Sequence, residues 1–251
     1  TRDSFLPAGT GQNQTNSSNT GLNILILGET GVGKSTCINA IANYIRFDSL
    51  ENAALNNAAA MVADIPSSFP YVVNGDVRTV QIGKFDKNEV LSKGQSATQG
   101  PRTFRFKKGE TVVNFIDTPG IGDTRGIDED KRNFDKILKY LDTFDELHAV
   151  CILLKPTQAR LTAHFSFILQ ELLCHLHKSL LQNIIFCFTN TRSTFYQIGD
   201  TYIPLTELLK DHKIDLKLEE DKTYFCVDNE AFRLLACIQN GIPIKKKIQD
   251  Q

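Results

Sequence analysis

The sequence predicts an α/β fold: three layers around a mostly parallel sheet with one antiparallel strand, plus an inserted hairpin. Three observations carry that prediction. Leu22–Leu27, Ala149–Leu154 and Asn183–Phe188 are short, almost wholly apolar runs, as expected of strands covered on both faces. Segments with apolar residues at helical spacing alternate with them, which is the pattern of parallel crossovers. Finally, Thr103–Lys107 and Thr111–Ile116 are joined only by Lys108-Gly109-Glu110. A parallel crossover needs about a dozen residues, so this pair must be antiparallel.

The elements follow in order. Residues 1–20 are mainly Gly, Ser, Asn, Thr and Gln, too polar to offset their ordering entropy, and read as a flexible N-terminal tail. The domain proper spans 21–240, with an insertion at about 47–95, and 241–251 reads as a polar C-terminal tail. After the first strand, Ile38, Ile41, Ala42 and Ile45 predict a helix over Ser35–Ile45. Within the insertion, Ala53–Ala63 reads as a short helix. Phe69–Val73 and Val77–Phe85, parted by Asn74-Gly75-Asp76, read as a hairpin. Phe134, Ile137, Leu138 and Leu141 mark an amphipathic helix whose first turn holds Asp128, Glu129 and Asp130, where acids favour the helix dipole. Leu161, Phe165, Ile168, Leu169, Leu172, Leu173 and Leu176 form another helical stripe. Leu205–Lys210 and Glu230–Ile238 complete the helices, and Tyr224–Val227 is the last strand.

Composition excludes several classes. The 251 residues hold 28 Lys plus Arg against 29 Asp plus Glu, a net charge of -1. That leaves no global basic field, and nucleic acid is not expected as a partner. No apolar run approaches the roughly 20 residues of a membrane-spanning helix, so no transmembrane segment is expected. The six cysteines form no CxxC pair and read as reduced thiols of a cytoplasmic protein. Cys174, His175 and His177 read as a helix end rather than a zinc site. The start at Thr1 and the end just beyond Lys245-Lys246-Lys247 suggest a piece of a longer protein. The glycosylation-like triplets at Asn13 and Asn16 are taken as chance.

The strongest chemical signal is Gly28-Glu29-Thr30-Gly31-Val32-Gly33-Lys34-Ser35. It fits G-x-x-x-x-G-K-[ST] between a strand and a helix, the context that a phosphate loop requires. Backbone N–H groups and the positive helix end attract polyphosphate, and glycines allow the close approach. Lys34 supplies a point charge to the β- and γ-phosphates, Ser35 a hydroxyl for Mg²⁺, and Thr36 lies near the α-phosphate. Asp117-Thr118-Pro119-Gly120 follows directly on a strand. An acid there holds Mg²⁺, and Gly120 can offer its N–H to a γ-phosphate, so the following loop senses it.

Together these motifs resemble a translation-factor-class P-loop GTPase domain over roughly Leu22–Ile238. Gly28–Thr36 (GETGVGKST) is similar to the loops of septins and of GIMAP-type GTPases, including plant chloroplast-import relatives. Gln95–Gln99 resembles the switch I segment of GIMAP-type proteins, and His148–Thr162 their strand-to-helix segment. The resemblance implies GTP or GDP as bound nucleotide, with Mg²⁺ held by Ser35, Thr98 and Asp117. The candidate catalytic set is Lys34, Thr98, Gly120 and Arg125. Thr98 becomes the switch I threonine, with Thr103 a weaker competitor, and the hairpin then lies before switch I. A homodimer through the nucleotide face and an effector protein are the implied partners.

The pattern departs from such domains at two places. After the strand ending at Phe188, Thr189-Asn190-Thr191-Arg192-Ser193 lacks the aspartate that reads guanine; Ser193 stands in its place. Thr189, Asn190, Asp228 and Asn229 are the candidate base contacts. Alternatively a partner subunit or backbone reads the base, or the nucleotide is ATP. Arg192 either stacks on the base or faces solvent. The second departure is Ile121, which follows Gly120 where a water-positioning glutamine often stands. Isoleucine cannot orient water, so slow hydrolysis is expected, with an arginine such as Arg125, Arg102 or Arg160 as the missing group. The predicted activity is slow hydrolysis of GTP to GDP and phosphate by a switch or assembly GTPase. The alternatives are an ATPase or kinase, or a non-hydrolysing GDP-bound module.

Overall fold

In the computed structural model the described residues are 21–55, 61–73, 75–84, 86–87, 98–122, 126–175 and 178–242. Six strands form one sheet in the order β4-β5-β1-β6-β7-β8. They are β1 (Leu22–Gly28), β4 (Arg102–Lys108), β5 (Thr111–Asp117), β6 (Ala149–Leu154), β7 (Ile184–Phe188) and β8 (Tyr224–Cys226). All neighbours run parallel except β4 and β5, which pair antiparallel from Arg102↔Asp117 to Lys108↔Thr111. The reversal turns at Gly109 with φ +59°, a region that glycine enters without strain.

The apolar strands feed two cores because successive side chains point to opposite faces. Leu25 and Leu27 of β1, Val150, Ile152 and Leu154 of β6, and Ile184, Phe186 and Phe188 of β7 pack in one core. There they meet helices α3 (Ile127–Leu141), α4 (Ala163–His175) and α5 (Tyr202–Asp211). Ile26, Leu153 and Cys187, each one residue out of step, pack in the other core with Cys37, Ile38 and Ala42 of α1 (Lys34–Arg46). Burying one such side chain contributes about 1.5–3 kcal/mol, so the alternation holds the sheet between two helical layers. Leu161 lies before α4 yet still packs against the first core.

The insertion stands apart as a two-stranded sheet, β2 (Ser67–Val73) and β3 (Asp76–Ile82), paired antiparallel. Gly75 in the turn has φ +91°, and Pro70 is tolerated because β2 is an edge strand. Val80 and Ile82 share a third core with Ala53 of α2 (Leu50–Leu55) and with Phe232, Leu235 and Ala236 of α6 (Glu230–Gln239).

Three asparagines clamp this insertion by its backbone. Asn43 Nδ2 donates to the Val62 carbonyl at 2.7 Å and its Oδ1 accepts from Val62 N at 3.0 Å. Asn39 does the same to Ile65, at 2.8 and 3.1 Å. Asn240 holds both backbone groups of Gln81, at 3.0 and 3.4 Å. The predicted helix over Ala53–Ala63 is therefore corrected. Helix α2 covers Leu50–Leu55, residues 56–60 lie outside the described residues, and residues 61–63 are not helical, because the amide of Asn43 already takes the Val62 groups that a helical ladder would use.

Candidate functional site

The phosphate loop crosses the C-terminal end of β1, where the chain must turn sharply into α1. Gly28 has φ +151°, and a Cβ there would lie 2.8 Å from the Leu153 carbonyl. Gly33 caps α1 at φ +101°. The first turn of α1 holds no acid, so its N–H groups and dipole are left to an anion. Lys34 is buried at 7% exposure. Its Nζ donates to the carbonyls of Gly28 at 3.0 Å and Glu29 at 3.2 Å, which keeps the ammonium inside the loop.

Three oxygens that the sequence places 35, 98 and 117 residues along the chain meet beside it. Ser35 Oγ donates to Asp117 Oδ2 at 3.2 Å, and Thr98 Oγ1 donates to the same oxygen at 3.3 Å. The two hydroxyls lie 3.5 Å apart. Asp117 is fully buried, and its Oδ1 is buried with no hydrogen-bond partner. Burial pushes its carboxyl above the ordinary carboxylate range, while the Lys34 ammonium and the Ser35 hydroxyl pull it back. An orphaned carboxylate oxygen beside two hydroxyls is an all-oxygen set that fits a hard divalent cation. No group of three His, Cys, Asp or Glu among the described residues is placed to hold a metal ion, and Mg²⁺ needs none when phosphate oxygens and water supply the rest.

The loop after β5 is fastened to the phosphate loop. Thr30 N donates to the Ile121 carbonyl at 2.8 Å, and Ile121 N to the Gly28 carbonyl at 3.3 Å. A Cβ on Gly120 would lie 2.5 Å from Thr30 Oγ1, so only glycine fits. Thr30 Oγ1 is itself buried without a partner. Ile121 is fully buried in the first core, which agrees with its inability to orient water. Thr103, the competitor of Thr98, bonds Tyr140 Oη at 2.9 Å instead. Of the candidate arginines, Arg102 pairs with Asp86 and stacks over Phe104, Arg160 is exposed, and Arg125 lies outside the described residues.

At the other end, the loops after β7 and β8 form one unit. Thr189 Oγ1 donates to the Val32 carbonyl at 2.7 Å, tying β7 to the phosphate loop, and Asn190 donates to Thr189 Oγ1 at 3.2 Å. Thr191 Oγ1 donates to the Val227 carbonyl at 3.0 Å. Arg192 N donates to Asp228 Oδ2 at 3.2 Å, and its guanidinium meets Glu230 at 2.5 Å. Tyr196 Oη also donates to Glu230, at 3.1 Å. A cavity of about 200 Å³ opens between this unit and the phosphate loop, lined by Gly31, Thr36, Thr189, Asn190, Asp228 and Asn229 among others. Sequence reasoning did not find Gln158 and Thr162, which both donate to the Glu29 carboxylate. No spacing signal links them, because 129 and 133 residues separate each pair.

A glycine-rich strand-to-helix turn, a buried lysine and an acid-tipped neighbouring strand define a phosphate-loop nucleotide-binding domain. No protein-family model matches the chain. It is similar to GTP-binding protein A of Dictyostelium discoideum, at 25% identity over 171 residues, covering 68% of this chain and 28% of that protein. The chain thus spans little more than a quarter of that relative's length. Among solved structures, Toc33 from Arabidopsis thaliana with GDP and Mg²⁺ aligns at 13% identity and TM-score 0.48, over 88% of this chain and 83% of that one. Era in complex with MgGDPNP and a 16S ribosomal RNA segment aligns at 14% identity and TM-score 0.46, over 89% and 57%. No helix among the described residues is long and apolar enough to cross a membrane.

Proposed function

We propose that this chain is a Mg²⁺-dependent GTP-binding domain that hydrolyses GTP slowly to GDP and phosphate. The convergence of Ser35, Thr98 and Asp117 beside the buried Lys34 carries this reading. The likeness to a relative named as a GTP-binding protein supports guanine. Ser35, Thr98 and Asp117 would hold the Mg²⁺, which when bound neutralises charge on the β- and γ-oxygens. Lys34 and the first turn of α1 bind the triphosphate and balance the negative charge that collects on the leaving diphosphate. A water oxygen attacks the γ-phosphorus, the bond to the β–γ bridging oxygen breaks, and the water proton ends on the released phosphate. Gly120 and Thr98 report the γ-phosphate, so the segments around them change contacts when it leaves.

Because Ile121 is buried in the core, this chain does not position the attacking water with that side chain. A second copy meeting across the nucleotide face, as septin- and GIMAP-type domains do, would supply the missing group and exclude water. The surface ordered by GTP would then serve an effector protein. The free cysteines Cys37, Cys151, Cys187, Cys226 and Cys237 support a reducing, cytoplasmic setting.

The test is phosphate release from GTP with Mg²⁺ and with chelator, across a range of protein concentrations. Mg²⁺-dependent release that rises per molecule with concentration is expected. Release unchanged by chelator, or by Lys34→Ala, would overturn the reading.

A further inference from the structure

We propose that Asp228, delivered by the loop after β8, is the group that selects guanine. The inference rests on the nucleotide-binding reading above and deepens it. Such a domain must tell its base from adenine, yet the expected carboxylate is missing. Ser193, in its place, is exposed and does not line the cavity. Among the described residues that do line it, Asp228 is the only carboxylate. The cavity also touches Gly31 and Thr36 of the phosphate end, so a nucleotide anchored there reaches the Asp228 end with its base.

The placement of Asp228 is fixed from two sides. Its Oδ2 accepts from Arg192 N, and Arg192 is held in turn by Glu230, the first residue of α6. The bond from Thr191 to the Val227 carbonyl locks the preceding residue. A carboxylate only accepts, and guanine offers two adjacent donors, N1–H and the 2-amino group. Adenine offers a lone pair at N1 and no 2-amino group, so a fixed carboxylate attracts the first base and repels the second. Charge-assisted pairs of this kind are the stronger hydrogen bonds.

The test measures equilibrium binding of GTP, ITP, XTP and ATP to the chain and to Asp228→Asn. Inosine lacks the 2-amino group, so the unaltered chain should bind ITP about 10-fold or more weakly than GTP, and ATP more weakly still. The asparagine variant should lose about 10- to 100-fold for GTP and gain for XTP, because its amide donates to the xanthine 2-oxo group and accepts from N1–H. A folded variant with GTP affinity unchanged and no gain for XTP overturns the assignment. So does an unaltered chain that binds GTP and ITP, or GTP and ATP, equally; this arm decides the matter if the variant does not fold. Binding of every triphosphate with equal strength would sink Asp228 alone and leave the phosphate loop intact. Failure to bind any of them sinks both.

Discussion

The two ends of the candidate nucleotide site are built in opposite ways. The phosphate end is one unbroken stretch, Gly28–Thr36, with two oxygens brought in from Thr98 and Asp117. The base end draws on segments far apart in the chain: Thr189–Arg192 after β7 and Asp228–Glu230 after β8, joined by Arg192 and Glu230. Triphosphate needs a dense ring of N–H groups, which only contiguous backbone around a helix end can supply. Reading a base needs a few side chains at its edge, and any loop that reaches that edge can provide them. The first task constrains local sequence tightly and the second does not.

Lys34→Ala should give the largest effect, a loss of about 100-fold or more in triphosphate affinity, of similar size for GTP, ITP and XTP because it acts on the tail. A loss that depended on the base would break the division between the two ends. Titration calorimetry with each nucleotide measures it.

Asn39→Ala removes a clamp on Ile65 and strands two buried backbone groups, at about 1–3 kcal/mol each. Urea unfolding should show that destabilisation, and proteolysis should cut first in the insertion.

Thr98→Ala should lower Mg²⁺-dependent phosphate release about 10-fold while leaving GDP affinity near that of the original, since switch threonine contacts belong to the triphosphate state. Equal losses for GDP and GTP would remove Thr98 from that role. Glu230→Ala should weaken discrimination of GTP from ITP only about threefold, because its bond to Arg192 is partly solvated.

The smallest effect is on pH. The hydrogen bond to Cys187 and then burial push the Cys37 thiol well above its ordinary value, and the bond to Cys151 is the first cause for Cys187. A raised folded value means that the neutral thiols stabilise the fold fully below the ordinary thiol range, and that this contribution is lost as pH climbs above it. Urea midpoints should therefore fall as pH rises above the ordinary thiol range, and thiol reagents should leave both residues unmodified in the native chain at pH 8.

Much of the fold was legible because the strands are uniformly apolar and the helices periodic. Residues 24–27, 150–154 and 184–188 announce a doubly covered sheet, and the three residues Lys108-Gly109-Glu110 announce its one reversal. The insertion was harder. Its helix was drawn too long because the polar Asn43 gives no hint, on its own helix, that it will hold the backbone at Val62. At the site, Lys34, Ser35, Asp117 and Gly120 were readable from motif spacing, and Thr98 only through a family resemblance. Gln158 and Thr162 were invisible, since a hydrogen bond to Glu29 across more than a hundred residues leaves no local pattern.

The sequence by itself determined the layered sheet and the phosphate grip, because period-two burial and a glycine-rich helix entrance are properties of short, contiguous segments. Only the folded chain shows which of the candidate carboxylates lines the cavity beside the phosphate loop, how the insertion is held and that Ile121 turns into the core. Those outcomes depend on which distant backbone and side-chain groups arrive at the same place, and only the packing of the whole sheet sets that.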